Sequence, residues 1–129
     1  MKRLVTAGVL LVFASSVLGD DHPVLKPPTV STFSIVAIDP ANGDGWSGLA
    51  FVASKTGQPA VALHALTMRS KFLPEVPATY FLWATSYDTM HDKARAIAYY
   101  HQFLDSAAGK FPDQEWQAKQ RLLVLEKKN

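Results

Sequence analysis

The sequence predicts an all-α protein made of two similar helical hairpins and one further helix. Three observations support this prediction. From Gly43 onward, apolar residues recur at intervals of three and four, which is the spacing of one helix face. The same pattern then returns at a fixed offset of about 34 residues. Glycine and proline residues fall where the predicted helices begin and end. The predicted helices span about 43–56, 59–73, 77–90, 93–108 and 113–127.

The first two helices form the first predicted hairpin. Gly57 lies between them and supplies a turn, while Pro59 suits the first turn of the second helix, where its missing N–H is not needed. Both helices carry apolar residues on one face. These residues are Trp46, Leu49, Ala50, Ala53, Ala62, Leu63 and Leu66.

The next two helices repeat the first two at this fixed offset. The offset also places Pro40 over Pro74. Small alanines let the helices of one hairpin approach closely, and large side chains fill the space between hairpins, which must stack to bury their apolar faces. The matching pairs are Trp46 and Tyr80, Leu49 and Trp83, Ala50 and Ala84, Ala53 and Tyr87, Ala62 and Ala96, Leu63 and Ile97, and Leu66 and Tyr100.

The fifth helix is predicted after a break at Gly109 and Pro112. Asp113 is expected to cap its N-terminus, and Glu115 to add negative charge to its first turn. Its apolar residues lie among Gln, Lys, Glu and Arg, which predicts a terminal capping helix with a polar outer face. These apolar residues are Trp116, Leu122, Leu123 and Leu125.

Two segments in register resemble the tetratricopeptide repeat. The first, Trp46 to Pro74, reads W-x2-LA-x2-A-x3-G-x4-A-x3-L-x7-P, and the second runs from Tyr80 to Tyr100 as Y-x2-WA-x2-Y-x3-H-x4-A-x3-Y. The resemblance covers roughly Gly43 to Asp105. Three features depart from the family pattern. The second copy lacks its closing proline, His91 replaces the turn glycine, and Arg69 stands where an apolar residue is expected.

The resemblance implies a non-catalytic scaffold that binds a partner protein or peptide in a concave groove, with no cofactor. Phe51 and Phe81 are the expected anchors of the partner. One subclass of the family clamps a C-terminal carboxylate with Lys, Arg and Asn, of which only Lys55 is present here. The implied groove residues are Ser47, Phe51, Ser54, Lys55, Phe81, Thr85, Asp88 and Thr89.

Two repeats and a capping helix are fewer than the three or so repeats that usually give independent stability. Three explanations are open. The chain self-associates, it packs its N-terminal segment on the first hairpin, or it is a fragment of a longer array.

The N-terminus resembles a secretory signal peptide, residues 1–19. Lys2 and Arg3 precede an apolar run from Leu4 to Phe13, and Gly19 ends the stretch of small residues that follows. The alternative is an uncleaved anchor or a buried helix. After cleavage no membrane span is expected, because the run is short and no second one follows. The predicted product is periplasmic or secreted. A proline-rich linker at 20–42 is then expected before the repeat domain at 43–129.

Composition narrows the classes of function. The chain has no cysteine, so no disulfide stabilises it. Lys2 and Arg3 account for its formal charge of +2, which argues against a basic nucleic-acid-binding surface. Motifs for a catalytic nucleophile, a zinc protease or a phosphate-binding loop are absent. His91 and His101 flank one predicted turn near two aspartates, but polar turn and surface roles are favoured there over a metal site.

A second interpretation of the sequence rests on the stretch TFSIVAIDPANGD, which begins at Thr32. It resembles the opening of a bacterial family of Ntn-hydrolase-like proteins of unknown function, which implies a truncated or fused enzyme domain. That fold requires a strand at Thr32–Ile38 with partner strands downstream, where the sequence has helical periodicity. The same segment is alternatively a helix end or an extended stretch on the first hairpin.

Overall fold

The computed structural model describes Ala37 and residues 39–128. Within this part the predicted all-α class is confirmed, since no β-strand occurs there. The predicted bounds agree with the observed ones to within about two residues, except at the end of the second helix. The helices are α1 (Gly43–Lys55), α2 (Pro59–Arg69), α3 (Pro77–Thr89), α4 (Lys93–Ala107) and α5 (Pro112–Leu125).

The helices pack as two hairpins followed by a single C-terminal helix. The most extensive contacts join α1 to α2 and α3 to α4. The hairpins stack through α2 against α3, and α5 packs on α4. Each helix therefore buries its apolar face against its neighbours in the chain, as the period of the sequence predicts.

Four alanines lie in the buried faces of the two hairpins. Ala50 and Ala62 in the first hairpin are completely buried, as are their counterparts Ala84 and Ala96 in the second. A larger side chain at any of these positions would require the paired helices to move apart. The prediction of close contact at these alanines is thus consistent with their burial.

Large side chains fill the space between the two hairpins. Trp83 of α3 belongs to the same buried cluster as Leu66 of α2 and Trp46 of α1. Its ring also lies nearly parallel to those of Tyr87 and Tyr99, with ring centroids 6.0 and 5.3 Å apart. The aromatic residues of α3 thus contact the preceding hairpin and their own partner helix.

α2 ends at Arg69, earlier than the predicted end at residue 73. The chain continues in tighter turns, in which the amides of Phe72 and Leu73 both donate to the carbonyl oxygen of Arg69. Pro74 disfavours the α-helical conformation at Leu73, so the helix does not resume after these turns.

The start of α5 differs from the prediction that Asp113 caps this helix. Phe111 is the residue before the helix, and Pro112 occupies the first helical position, where no amide hydrogen is required. Asp113 therefore lies within the first turn. Glu115 fixes the turn before the helix instead, because its carboxylate accepts hydrogen bonds from the backbone N–H groups of Gly109 and Phe111.

The outer face of α5 also differs from the polar surface that was predicted. Leu122 is buried, as the amphipathic pattern requires. Trp116, Leu123 and Val124, however, are between 61% and 69% exposed. The exposed side of this helix is therefore partly apolar.

Equivalent turns join the two helices of each hairpin. Gly57 and His91 occupy matching positions in the two repeats, and both have a left-handed backbone, with φ of 72° and 61°. Glycine adopts this conformation without a steric penalty, whereas a residue with a Cβ atom does not. The turn is therefore retained in the second hairpin although its glycine is not.

We expect His91→Gly to raise the free energy of unfolding by about 1 kcal/mol, because it removes this penalty. Gly57→Ala should lower it by about the same amount. Urea unfolding of both variants measures the effect. Shifts of the midpoint in the same direction for both would contradict this account of the turns.

Several predictions concern residues outside the described part of the chain. These are the signal peptide at 1–19, most of the linker at 20–42, and the Thr32–Ile38 segment apart from Ala37. At the start of the first helix, the Asn42 side chain caps α1 by accepting from the Gly45 amide at 2.8 Å. None of the helices in the described residues is long and apolar enough to span a lipid bilayer.

Candidate functional site

A groove lies between the first helices of the two hairpins, α1 and α3, and the beginning of α5. Its volume is about 370 Å³. Six apolar residues line it: Phe51, Ala78, Phe81, Leu82, Phe103 and Phe111. Five polar or charged residues complete the lining: Ser54, Lys55, Thr85, Gln114 and Gln117.

Packed aromatic rings form the floor of the groove. Phe103 of α4 is 1% exposed and lies with its ring centroid 5.0 Å from that of Phe81 on α3. Phe111, which precedes α5, packs against Phe103 at 6.3 Å. Because three separate elements hold these rings, the floor is a fixed apolar surface and does not depend on one mobile side chain.

The α1 side of the groove combines an aromatic ring with a positive charge. Phe51 is 54% exposed, so its ring is accessible to a ligand. The Lys55 ammonium lies 5.5 Å from the centroid of this ring, within the range of a cation–π interaction. The two side chains form a rim that is both apolar and cationic.

The structure brings five of the eight predicted groove residues together. They are Phe51, Ser54, Lys55, Phe81 and Thr85. The prediction did not include Phe103, Phe111, Gln114 or Gln117, because α4 was treated as core and α5 as a cap. The spacing of alanines in the sequence does relate α5 to α1 and α3. Ala118 follows Ala84 by the same period that separates Ala84 from Ala50, and it is also completely buried. The buried alanine of α1 and α3 therefore has a counterpart on α5.

Ser47 does not line this groove but belongs to a polar network between the hairpins. Its hydroxyl oxygen accepts from Arg69 Nε at 2.7 Å and donates to the Gly43 carbonyl oxygen at 2.9 Å. The Arg69 guanidinium also donates to the Pro74 carbonyl oxygen and pairs with Glu75 at 3.3 Å. Glu75 in turn accepts from Trp83 Nε1 at 2.6 Å. The network explains how an arginine replaces the expected apolar residue at this position.

Asp88 is likewise absent from the groove, because it joins three helices. Arg121 of α5 donates to both of its carboxylate oxygens, at 2.7 and 2.8 Å, and the Tyr100 hydroxyl of α4 donates at 2.9 Å. Burial opposes the charged form of Asp88, but the hydrogen bonds from Arg121 and Tyr100 outweigh it and hold the pKa of Asp88 below its usual value. Burial and the bond to Asp88 raise the pKa of Tyr100.

Thr89 lies at the C-terminal end of α3, beside the groove. It is exposed, and its hydroxyl donates to the Thr85 carbonyl oxygen at 2.8 Å. With Ser54, Thr85 and Ser86 it lines a second hollow of about 80 Å³. The Ser86 hydroxyl is the one buried side-chain oxygen of the described residues that has no hydrogen-bond partner.

We expect Asp88→Asn to lower the free energy of unfolding at pH 7 by about 1 kcal/mol, since Arg121 is partly exposed and its ion pair is screened. The lowered pKa stabilises the folded state above pH 4, and this contribution is lost as the pH falls through the folded-state pKa. Unfolding in urea at pH 7 and pH 3 measures it. The difference between the wild type and Asp88→Asn should shrink at pH 3; a constant difference would contradict the assigned ion pair.

The histidines of the described residues have structural surroundings. His101 Nε2 pairs with Glu126, the residue that follows α5. His64 packs edge-on against Trp46, with ring centroids 5.7 Å apart. Asp92, which follows His91, caps α4 by accepting from the Arg95 amide. Among residues 39–128, no three His, Asp or Glu side chains converge as metal ligands.

The chain was also compared with known proteins. No protein-family model matches it, and neither the curated proteins nor the solved structures give a significant match.

Proposed function

We propose that this chain is a protein-interaction module that binds an extended segment of a partner protein in the groove between α1, α3 and α5. The observation that carries the proposal is the groove itself, which combines a fixed aromatic floor with an exposed rim of hydroxyl, amide and ammonium groups. Apolar anchors surrounded by polar groups are typical of surfaces that bind peptides.

The proposal includes a relationship to tetratricopeptide repeats. It is supported by the period of the sequence, the buried alanine at equivalent positions of α1, α3 and α5, and the left-handed turn shared by both hairpins. In that family, the first helices of successive hairpins line the concave surface. The groove of this chain lies on the corresponding helices.

We further propose that the module is non-catalytic and acts in the periplasm or outside the cell. Hydroxyl, amide and phenyl groups dominate the groove, and its one charged side chain is a lysine. Such groups bind and orient a ligand but do not form the paired acid and base of a hydrolase. Export is supported by the charged and apolar pattern of residues 2–19 in the sequence.

The test is selection of linear peptides from a random phage-displayed library on the immobilised chain. We expect Phe51→Ala to weaken binding of a selected peptide about tenfold, the effect of removing an anchor side chain. Its fold should be retained, since the ring is 54% exposed. Phe72→Ala is the matched control, because Phe72 is 43% exposed and does not line the groove.

Binding affinity is measured by fluorescence anisotropy and the fold by circular dichroism. Phe72→Ala should change the dissociation constant less than about twofold, since surface substitutions outside an interface have small effects. If no peptide is enriched over a blank support, or if Phe51→Ala and Phe72→Ala weaken peptide binding equally, the groove is not the binding site.

A further inference from the structure

The groove has an asymmetric distribution of charge. Lys55 is the one charged side chain in its lining, which contains no carboxylate. The ammonium lies over the Phe51 ring at 5.5 Å, and no Asp or Glu of the described residues lies within ion-pair distance of it. An occupant that carries a carboxylate at this end would complement the charge.

The opposite side of the groove is polar and uncharged. Gln114 and Gln117 are exposed and lie one helical turn apart on α5, so they face the same direction. A primary amide donates and accepts hydrogen bonds, which matches the N–H and C=O groups of a peptide backbone. The floor between the two sides is formed by Phe81, Phe103 and Phe111.

The placement of these groups favours a linear chain over a compact small molecule. The ammonium belongs to α1, the hydroxyl of Thr85 to α3 and the two amides to α5. Small-molecule sites enclose the ligand and direct their polar groups toward one point. Here the polar groups are distributed across three helices along an open groove.

We infer that the occupant is an extended peptide segment with an acidic side chain next to a large apolar one. This inference rests on the proposed function. The carboxylate pairs with the Lys55 ammonium, the apolar side chain packs on the aromatic floor, and the backbone bonds to the amides of Gln114 and Gln117. The carboxylate belongs to a side chain within the segment, so a free C-terminus is not required.

The experiment repeats the peptide selection with Lys55→Glu and with Lys71→Glu, a charge reversal at an exposed lysine outside the groove. Peptides selected by the wild type should be enriched in Asp or Glu beside an aromatic or aliphatic residue. Lys55→Glu should bind these peptides about tenfold more weakly, as expected when an attractive charge pair becomes repulsive. It should select Lys or Arg at the same position, and Lys71→Glu should select the acidic peptides.

The outcomes separate the two proposals. Peptides that bind in a Phe51-dependent way but show no acidic preference, or the same preference with Lys55→Glu, would overturn this inference and leave the binding function standing. Enrichment of sequences similar to Thr32–Ile38 of this chain, which contains no acidic residue, would also overturn it and identify an internal occupant. Failure to select any peptide would overturn the proposed function and this inference with it.

Discussion

Replacing Phe103 by alanine should lower the free energy of unfolding by about 3–5 kcal/mol, the range for removing a buried aromatic ring. Phe103 is 1% exposed, and its ring packs against Phe81 of α3 and Phe111 before α5. The substitution therefore leaves a cavity where α3, α4 and the start of α5 meet. For a domain whose total stability is about 5–15 kcal/mol, this loss is severe.

The matched control for Phe103→Ala is Phe51→Ala, which removes the same atoms from a ring that is 54% exposed. Urea unfolding followed by circular dichroism compares the two. Phe103→Ala should lower the midpoint by roughly 2 M, given the usual dependence of stability on urea, and Phe51→Ala by a small fraction of that. A similar midpoint for both variants would mean that Phe103 is not part of the core.

Arg69→Met should lower the free energy of unfolding by about 3 kcal/mol, the low end of the range for breaking a buried ion pair. Methionine has a similar length but donates no hydrogen bond. The substitution removes the guanidinium that donates to the Pro74 carbonyl oxygen and to the Glu75 carboxylate. The Trp83 indole then remains as the hydrogen-bond donor to Glu75. The side chain of Glu75 is 24% exposed, so water reaches it and limits the loss.

A double-mutant cycle with Glu75→Gln isolates the ion pair. Glu75→Gln retains an oxygen that accepts from Trp83, so its effect should be smaller than that of Arg69→Met. The two substitutions should show a coupling energy above about 1 kcal/mol, because their side chains are in contact. Additive effects of the two would contradict the network. Lys71→Met, at a nearby exposed lysine, controls for loss of positive charge.

The sequence was sufficient to predict the helices because local signals determine them. Pro59 and Pro112 occupy first helical positions, and the four repeated alanines identify the faces that meet within each hairpin. The end of α2 and the start of α5 were predicted less well. The end of α2 depends on hydrogen bonds that the Arg69 carbonyl oxygen accepts, and the start of α5 on those that the Glu115 carboxylate accepts. Residue spacing specifies neither set.

Only part of the candidate site could be predicted, because local patterns determine some of its residues and long-range contacts determine others. The exposed side of α1 and α3 follows from helical periodicity, so Phe51 and Thr85 were placed correctly in the lining. Ser47 and Asp88 lie on those helices too, but long-range partners, Arg69 and Arg121, hold them elsewhere. Such pairings between distant residues are not visible in a single sequence.

The most direct test of peptide binding in this groove is an NMR titration of the ¹⁵N-labelled chain with a peptide from the selection. Binding in the groove predicts the largest amide shift changes at groove residues on α1, α3 and α5, including Lys55, Thr85 and Gln117. Shift changes centred on the outer surfaces of α2 and α4, or no shift changes at saturating peptide, would contradict binding in the groove.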